Sequence, residues 1–321
     1  MKSPSNLLRK LSRKLFADVD TQASFIEALV QPRPLHPCIL WMRSPPQAST
    51  FGVQPPLDWQ PDFVERLDLE AEPGRHPWHD QGFFYCLDFS SVFAASVVLG
   101  VREKPALVLD VCAAPGGKSL FVWRALAPRL LLCNETIGKR VGMLVGNLKR
   151  CSVQPVGVLN LDPEAVAQVA SQVADLVIVD APCTGQSLLA KGKAVPGCFH
   201  PVTINQNANR QKRILANAAA VVAPGGFLAY MTCAFSPQEN EQVLGWFLRQ
   251  FPQFQAQPVP HLQAYQSHLS DLPCYRMWPQ LGLGAGAFTA LLKNTTLGDA
   301  LTWHQETLLQ LCRWQSENGE M

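Results

Sequence analysis

Leu107-Val108-Leu109-Asp110-Val111-Cys112-Ala113-Ala114-Pro115-Gly116-Gly117-Lys118-Ser119 runs from an apolar stretch through a tight glycine turn into a helical pattern. Strand, glycine turn and helix start form a unit with a physical use. Glycines let the backbone approach a ligand closely, and the helix N-terminus offers free N–H groups. The spacing is not G-x-G-x-x-G. It is not a P-loop either: only Gly116-Gly117-Lys118-Ser119 matches the end of one, and Cys112 stands where the earlier glycine is required. Nucleoside triphosphate binding is therefore disfavoured. A plain strand-to-helix turn is the bland alternative.

Working outward, apolar runs alternate with helical patterns. Strands are expected at 106–110, 130–133, 156–159, 176–179, 227–231 and 287–292, and helices at 118–126, 139–148, 163–173, 204–222 and 237–249. Buried-type strands alternating with helices argue a doubly wound α/β sheet. No internal repeat is present. Glu135 ends the second strand, roughly 20 residues or slightly more past the glycine turn, where an acid accepts ribose hydroxyls. Asp162 ends the third strand, within reach of an adenine edge or as the N-cap of the helix that Pro163 begins.

Two further segments end in cysteine. In Asp175-Leu176-Val177-Ile178-Val179-Asp180-Ala181-Pro182-Cys183-Thr184-Gly185, a buried strand delivers Asp180 to a Pro-Cys turn. Gly225-Gly226-Phe227-Leu228-Ala229-Tyr230-Met231-Thr232-Cys233 is a second strand of this kind. Ligands of doubly wound sheets bind at the carboxyl ends of the strands. Asp180, Cys183 and Cys233 are thus expected to face the same crevice as the glycine turn. A lone cysteine is more often a small buried apolar residue, the reading given to Cys38, Cys86, Cys133 and Cys151; two at strand ends beside an aspartate are not.

Composition bounds the remainder. At 321 residues the chain has length for about two domains. With 47% apolar residues it is too apolar for disorder, and 16% charged residues is low. Lys and Arg total 27 against 25 acids, a net charge of +2, without the excess of a protein that holds nucleic acid by charge alone. No window approaches 18 uncharged apolar residues, so no membrane span is expected. Ten cysteines without an export signal imply thiols in a reducing, cytoplasmic setting, and the lack of any C-x-x-C pair leaves no metal site expected. Lys2, Arg9, Lys10, Arg13 and Lys14 precede the first acid, Asp18, with Leu7, Leu8, Leu11 and Leu15 near helical spacing. This segment is a solvated basic helix, a phosphate-contacting arm or a transit peptide. Residues 20–80 are irregular and Pro-rich (Pro32, Pro34, Pro37, Pro45, Pro46, Pro55, Pro56), with short apolar runs, as in a small α+β unit.

Taken together, these segments resemble the Sun/Fmu family of S-adenosylmethionine-dependent RNA cytosine methyltransferases, over roughly residues 80–295. The segment 110–119 is similar to the family's cofactor loop; Asp180-Ala181-Pro182-Cys183 and Thr232-Cys233 are similar to its two cysteine motifs. Glu239-Asn240-Glu241, Arg276-Met277-Trp278-Pro279 and Gly284-Ala285-Gly286-Ala287-Phe288 resemble its following helix and closing strand, and Gly82-Phe83-Phe84 with Asp88 to Ser91 a divergent form of the stretch before the cofactor loop.

The resemblance implies a class I methyltransferase fold, a seven-stranded, mostly parallel sheet with helices on both faces, and a small N-terminal RNA-binding unit. The corresponding division is 1–80, 81–295 and a C-terminal helix at 296–321. It implies S-adenosylmethionine over Cys112 to Lys118, with Glu135 on the ribose and Asp162 near the adenine, and transfer to carbon 5 of a cytosine in RNA. By the resemblance Cys233 is the nucleophile, Cys183 assists release, and Asp180 holds the base. Lys118 is expected to line the same site and favour the thiolate. Sequence physics alone does not choose between the two cysteines. Two departures mark a divergent branch: Ala234 follows Cys233 where the family usually has serine, and Gly185 is followed by Gln186-Ser187-Leu188-Leu189-Ala190-Lys191-Gly192-Lys193. Lys191, Lys193, Arg210, Lys212 and Arg213 are the best basic cluster for phosphate contact. With no further tRNA-recognition appendage evident, ribosomal RNA is favoured over tRNA, and a monomer is the default. The alternative is a catalytically inactive RNA-binding homologue acting as an assembly factor; retention of both cysteines, Asp180 and Lys118 speaks against it.

Overall fold

The computed structural model describes residues 4–45 and 51–316. Lys2 of the basic run, Pro46 of the Pro-rich stretch and residues 317–321 of the expected C-terminal helix lie outside the described residues. Ser5 opens α1 (Asn6–Leu15) by accepting the Leu8 N–H. Leu8, Leu11 and Leu15 line its buried face, while Arg9, Lys10, Arg13 and Lys14 are exposed. Asp18 caps α2 (Val19–Val30). The buried faces of both helices meet Ala190, Phe235 and Ala285 in a small apolar cluster. The basic segment is therefore a packed helix rather than a free arm.

Next come β1 (Cys38–Trp41), β2 (Val64–Arg66), the short α3 (Pro77–Asp80) and β3 (Phe84–Cys86), the strands pairing in the order β2-β1-β3, antiparallel. The expected boundary at 80 falls inside this sheet, because β3 lies past it. A sheet this small gains stability by packing against a helix. Its strands share one core with α4 (Phe89–Ser96) and the main sheet.

The main sheet follows the alternation read from the sequence: β4 (Leu107–Asp110), α5 (Gly117–Leu126), β5 (Leu130–Asn134), α6 (Gly138–Arg150), β6 (Val156–Leu159), α7 (Pro163–Val169), β7 (Ala174–Asp180), α8 (Pro201–Val221), β8 (Val222–Thr232) and α9 (Glu241–Gln250). The five strands are parallel in the order β6-β5-β4-β7-β8. Alternate residues face opposite layers. Val108, Leu131, Val156 and Ile178 pack with α4, α5 and α6; Leu109, Leu132, Val177 and Tyr230 pack with α7, α8 and α9. Two short strands, β9 (Phe254–Gln257) and β10 (Tyr275–Met277), precede the antiparallel β11 (Ala287–Asn294) beside β8. Both pair with β11, at opposite ends, and together fill one strand position. After α10 (Gln305–Gln310), β12 (Trp314–Gln315) covers the far edge at β6, bringing the sheet to nine strands among the described residues. The seven positions of a class I methyltransferase sheet are thus present, one of them split, with an edge strand added.

Three expected helices shorten. The helix from Pro163 stops at Val169, because the N–H groups of Gln172 and Val173 bond Ala220 and Val221 carbonyls and draw the chain away. The helix expected from Pro237 starts at Glu241, since Glu239 and Asn240 spend their side chains on neighbouring loops. The tail is a six-residue helix plus β12 rather than one helix. The chain winds outward from β4 to β6 and then returns to β7 on β4's other side. That reversal opens a crevice at the carboxyl ends of β4 and β7, the place where such sheets bind ligands.

Candidate active site

Gly116 turns the chain after β4 with φ of 110°, a left-handed conformation that favours glycine, and a Cβ there would meet Leu144 at 3.0 Å. α5 then begins without a side-chain cap, leaving its first N–H groups for a ligand. Below the turn, Asp110 is buried and accepts from the Ser119 hydroxyl at 2.7 Å and the Cys112 N–H at 3.2 Å. Burial pushes its carboxyl up to about 7, despite those bonds. Burial also raises the Cys112 thiol, so Cys112 stands in the turn as a neutral group.

A cavity of about 360 Å³ opens beside this turn. Cys112, Glu135, Ile137, Asp162, Arg213 and Ile214 are among its walls. Glu135 is buried; one carboxylate oxygen accepts from the Ile137 N–H at 2.8 Å and the other pairs with Arg140 at 3.1 Å. Arg140 also donates to the Ala114 carbonyl, tying Glu135 to the glycine turn. Asp162 caps α7 through the Glu164 N–H at 3.0 Å while lining the cavity, so its two readings coexist geometrically.

On the other side of the crevice, Asp180 ends β7 opposite Met231 of β8. Lys118, in the first turn of α5, reaches across to donate to Asp180 at 2.7 Å. Burial pulls the ammonium's pKa down, but the Asp180 carboxylate outweighs it and holds Lys118 above its ordinary value. Past the strand ends, the Cys183 and Cys233 sulfurs lie 3.1 Å apart. This contact divides their chemistry. Either sulfur can donate in this contact; with Cys183 as the donor, Cys183 is raised and Cys233 lowered, burial pushes both up, and the Asp180 charge raises Cys233 by more than Lys118 draws it down. With that direction of donation Cys233 is the sulfur that ionises more readily; with the reverse direction it is Cys183.

Several side chains that hold this arrangement were not singled out from the sequence as site residues. Glu239 is buried and accepts from the Thr184 N–H and hydroxyl at 2.8 and 2.6 Å, from Gln211 at 3.1 Å and from the Ser236 hydroxyl at 3.1 Å. One carboxylate thus joins the loop after Cys183 to the loop after Cys233. Asn240 donates to the Ala234 carbonyl at 2.8 Å and accepts from Thr232 at 2.6 Å. Arg276 forms a buried forked pair with Glu241, both bonds at 2.6 Å, and donates to the Phe235 carbonyl. The only signal for them was their place in segments 239–241 and 276–279.

The expected basic cluster does not gather. Lys191 pairs with Asp88 at 3.0 Å, Arg210 and Arg213 line the cavity beside the glycine turn, and Lys212 lies over the Trp246 ring. Only Arg210 and Arg213 share a site; Lys191 and Lys212 are held by partners elsewhere. Among the described residues, no helix is long and apolar enough to cross a membrane, and no group of three or more His, Cys, Asp or Glu is placed to hold a metal ion.

In solved structures, the fold is similar to that of PH0851 (TM-score 0.74, 22% identity, 91% of this chain and 69% of that one). It is also similar to NSun6 from Pyrococcus horikoshii, solved with SFG (TM-score 0.71, 17% identity, 91% and 99%). In sequence, the chain is 30% identical over 258 residues to ribosomal RNA small subunit methyltransferase F of Cronobacter sakazakii, covering 78% of this chain and 53% of that protein. It is 29% identical over 247 residues to the protein of that name from Pectobacterium carotovorum, covering 75% and 51%. The chain therefore spans about half the length of the curated relatives it matches. The family described as 16S rRNA methyltransferase RsmB/F matches residues 96–293, from the end of α4 to β11, which takes in the glycine turn, Glu135, Asp180 and both cysteines. With well over half of its length inside that match, this chain belongs to the RsmB/F family, the Sun/Fmu group its segments resemble.

Proposed function

We propose that this protein transfers a methyl group from S-adenosylmethionine to carbon 5 of a cytosine in RNA, through a covalent bond between Cys233 and carbon 6. The observation that carries the reading is the pair of sulfurs 3.1 Å apart beside the Lys118–Asp180 ion pair. Ribosomal RNA is the substrate class favoured by the names of the relatives.

The residues present fit the cofactor. Ile137 and Ile214 offer apolar walls for an adenine, each Glu135 oxygen keeps a lone pair for ribose hydroxyls, and uncapped N–H groups of α5 stand beside the turn. When bound, S-adenosylmethionine supplies an electrophilic methyl group. Carbon 5 of cytosine is a poor nucleophile, and the protein's task is to make it a better one. The Cys233 thiolate adds to carbon 6, forming a carbon–sulfur bond and leaving carbon 5 enamine-like and able to take the methyl. Asp180 accepts from the cytosine amino group, and the Lys118 ammonium beside it offsets the negative charge that addition places on the ring. Lys118 keeps Asp180 oriented and favours the Cys233 thiolate. Carbon 5 then passes its proton to a base, either water or Cys183 as thiolate; the freed electron pair re-forms the carbon 5–carbon 6 double bond, and the carbon 6–sulfur bond breaks with its pair returning to Cys233 as thiolate. The target base must be unstacked or already single-stranded.

The test is bisulfite sequencing of total RNA from cells with and without the gene. A cytosine that loses its methyl group on deletion supports the reading and identifies the substrate. If none does, the decisive assay is whether Cys183→Ala protein accumulates a covalent RNA adduct; no adduct on any RNA sinks the reading in favour of an RNA-binding homologue.

A further inference from the structure

The loop that carries Cys233 is gripped from both sides. On one side stand Glu239, Asn240 and Arg276, within segments already matched to the family. On the other stands Gln186, the first residue of the divergent stretch after Gly185. Gly185 turns the chain with φ of 68° into a short 3-10 helix, Gln186–Lys191. This aims the fully buried Gln186 side chain at the Cys233 loop. Its carboxamide oxygen accepts the consecutive N–H groups of Phe235 and Ser236, at 2.6 and 3.0 Å. Its amide nitrogen donates to the Cys198 carbonyl at 2.8 Å, at the far end of the same divergent loop. The next residue completes the grip, as the Ser187 N–H donates to the Cys233 carbonyl at 3.1 Å.

Gln186 thus gathers two buried N–H groups that no helix or strand satisfies. One acceptor oxygen spans both donors. Resting on the reading of Cys233 as nucleophile, we infer that Gln186 is a positioning residue: it fixes the main chain at 235–236 so that the Cys233 sulfur faces Cys183 and Lys118, and it couples that sulfur to the loop 186–198.

The experiment compares Gln186→Asn, whose amide is one methylene too short to span the gap, with Gln186→Glu, which keeps the reach and the acceptor oxygen. Two readouts are taken on full-length protein whose folding is checked by thermal melting. The first is steady-state methyl transfer. The second is the pH dependence of Cys233 alkylation by iodoacetamide, followed by mass spectrometry, which needs neither RNA nor cofactor. Gln186→Asn is expected to lower kcat by about 30-fold or more with KM for RNA little changed, since displacing a reacting group by about 1 Å costs on the order of a hundredfold. Its Cys233 alkylation midpoint rises, because the sulfur no longer meets Cys183 and Lys118 squarely. Gln186→Glu is expected to restore kcat to within about fivefold of wild type by the same geometric argument. A folded Gln186→Asn enzyme with wild-type kcat and an unmoved midpoint overturns the inference. So does a folded Gln186→Glu enzyme as slow as the asparagine variant, and this variant decides alone if Gln186→Asn fails to fold. Wild-type protein that methylates no RNA counts against the RNA reading, whereas the alkylation midpoints still decide the role of Gln186.

Discussion

The two halves of the crevice are built by different means. On the glycine-turn side, the acids around the turn are held by near neighbours: Glu135 by the N–H two residues on, Asp162 by the N–H of Glu164, Asp110 by Ser119 nine residues away. On the cysteine side the ties are long. Cys183 meets Cys233 across 50 residues, Thr184 meets Glu239 across 55, Gln186 meets Ser236 across 50, and Glu241 meets Arg276 across 35. The first half is local turn chemistry that survives with little help. The second exists only once the sheet has formed and its loops have been buried against one another. Changes on the first side should therefore weaken ligand binding while sparing the fold, and changes on the second should cost rate or stability outright.

The largest expected effect tests whether the cysteine side is a reacting site at all. Cys233→Ala should lower methyl transfer by about four orders of magnitude or more, as loss of a covalent nucleophile does. Cofactor affinity, measured by calorimetry, should be retained. Cys183→Ala should instead trap a protein–RNA adduct visible on a denaturing gel. In that variant the Cys233 alkylation midpoint should rise, because the hydrogen bond that most lowers it is gone. Full turnover by Cys233→Ala would remove the assignment of nucleophile.

Next in size is the buried Glu241–Arg276 pair, which tests whether the long ties carry stability. Burial opposes the Glu241 charge, but Arg276 and its forked hydrogen bonds prevail and hold the carboxyl below its ordinary value of 4.5. Glu241→Gln leaves Arg276 buried without its counter-charge, and breaking such a pair costs about 3–5 kcal/mol. Urea denaturation should show it. The sign with pH follows from the depressed value: the pair's contribution is complete above about 4.5 and fades as pH falls through the lower folded value. A Glu241→Gln protein of wild-type stability at neutral pH would show that the network is ornamental.

The same contrast explains how much was legible beforehand. The glycine turn, the strand–helix alternation and the acids at strand ends are written within short windows, so 107–119, Glu135 and Asp162 could be read from spacing. The two cysteines were readable because strand ends of one sheet face one crevice. Gln186 could be noticed as a departure but not as a support, since its partners at 235 and 236 become neighbours only in three dimensions. The misplaced basic cluster failed for the converse reason. Lys191, Arg210 and Lys212 are close in sequence, yet the turn at Gly192 and the α8 helical period send them to different surfaces. The N-terminal boundary failed because a short sheet borrowed its core from its neighbour.

A smaller effect is expected on the glycine-turn side. Glu135→Ala should weaken cofactor binding by about 1–3 kcal/mol, the scale of hydrogen bonds to a charged group. It should leave the urea midpoint nearly unchanged, because the ties it breaks are local and Arg140 remains partly solvated. Calorimetry with S-adenosylhomocysteine gives the first quantity. Unchanged affinity would take Glu135 out of the site; a large loss of stability would break the distinction between the two halves.

The smallest effect concerns the helices that buttress the cysteine side from outside. Phe25 of α2 meets Phe235 edge-on at 5.1 Å, two residues past Cys233, and Phe16 meets Trp278 at 4.8 Å. The same docking leaves Arg9, Lys10, Arg13 and Lys14 exposed on α1. Two readings of that basic face separate by their salt dependence. If it is only solvated, its charges leave RNA affinity and its salt slope alone. If it contacts phosphates of the substrate, each lost contact shallows the slope of log K against log salt by about 0.7 for a single strand. The double variant Arg9→Gln with Arg13→Gln should then bind RNA with a slope shallower by about 1.4. Its kcat at saturating RNA should stay at the wild-type value, because the packed face of Leu8, Leu11 and Leu15 that supports Phe235 is untouched. An unchanged slope would confine α1 to its structural task. A loss of kcat without a change in slope would mean instead that the buttress transmits even surface changes to the cysteine loop, which would extend the long-tie half of the site as far as the N-terminus.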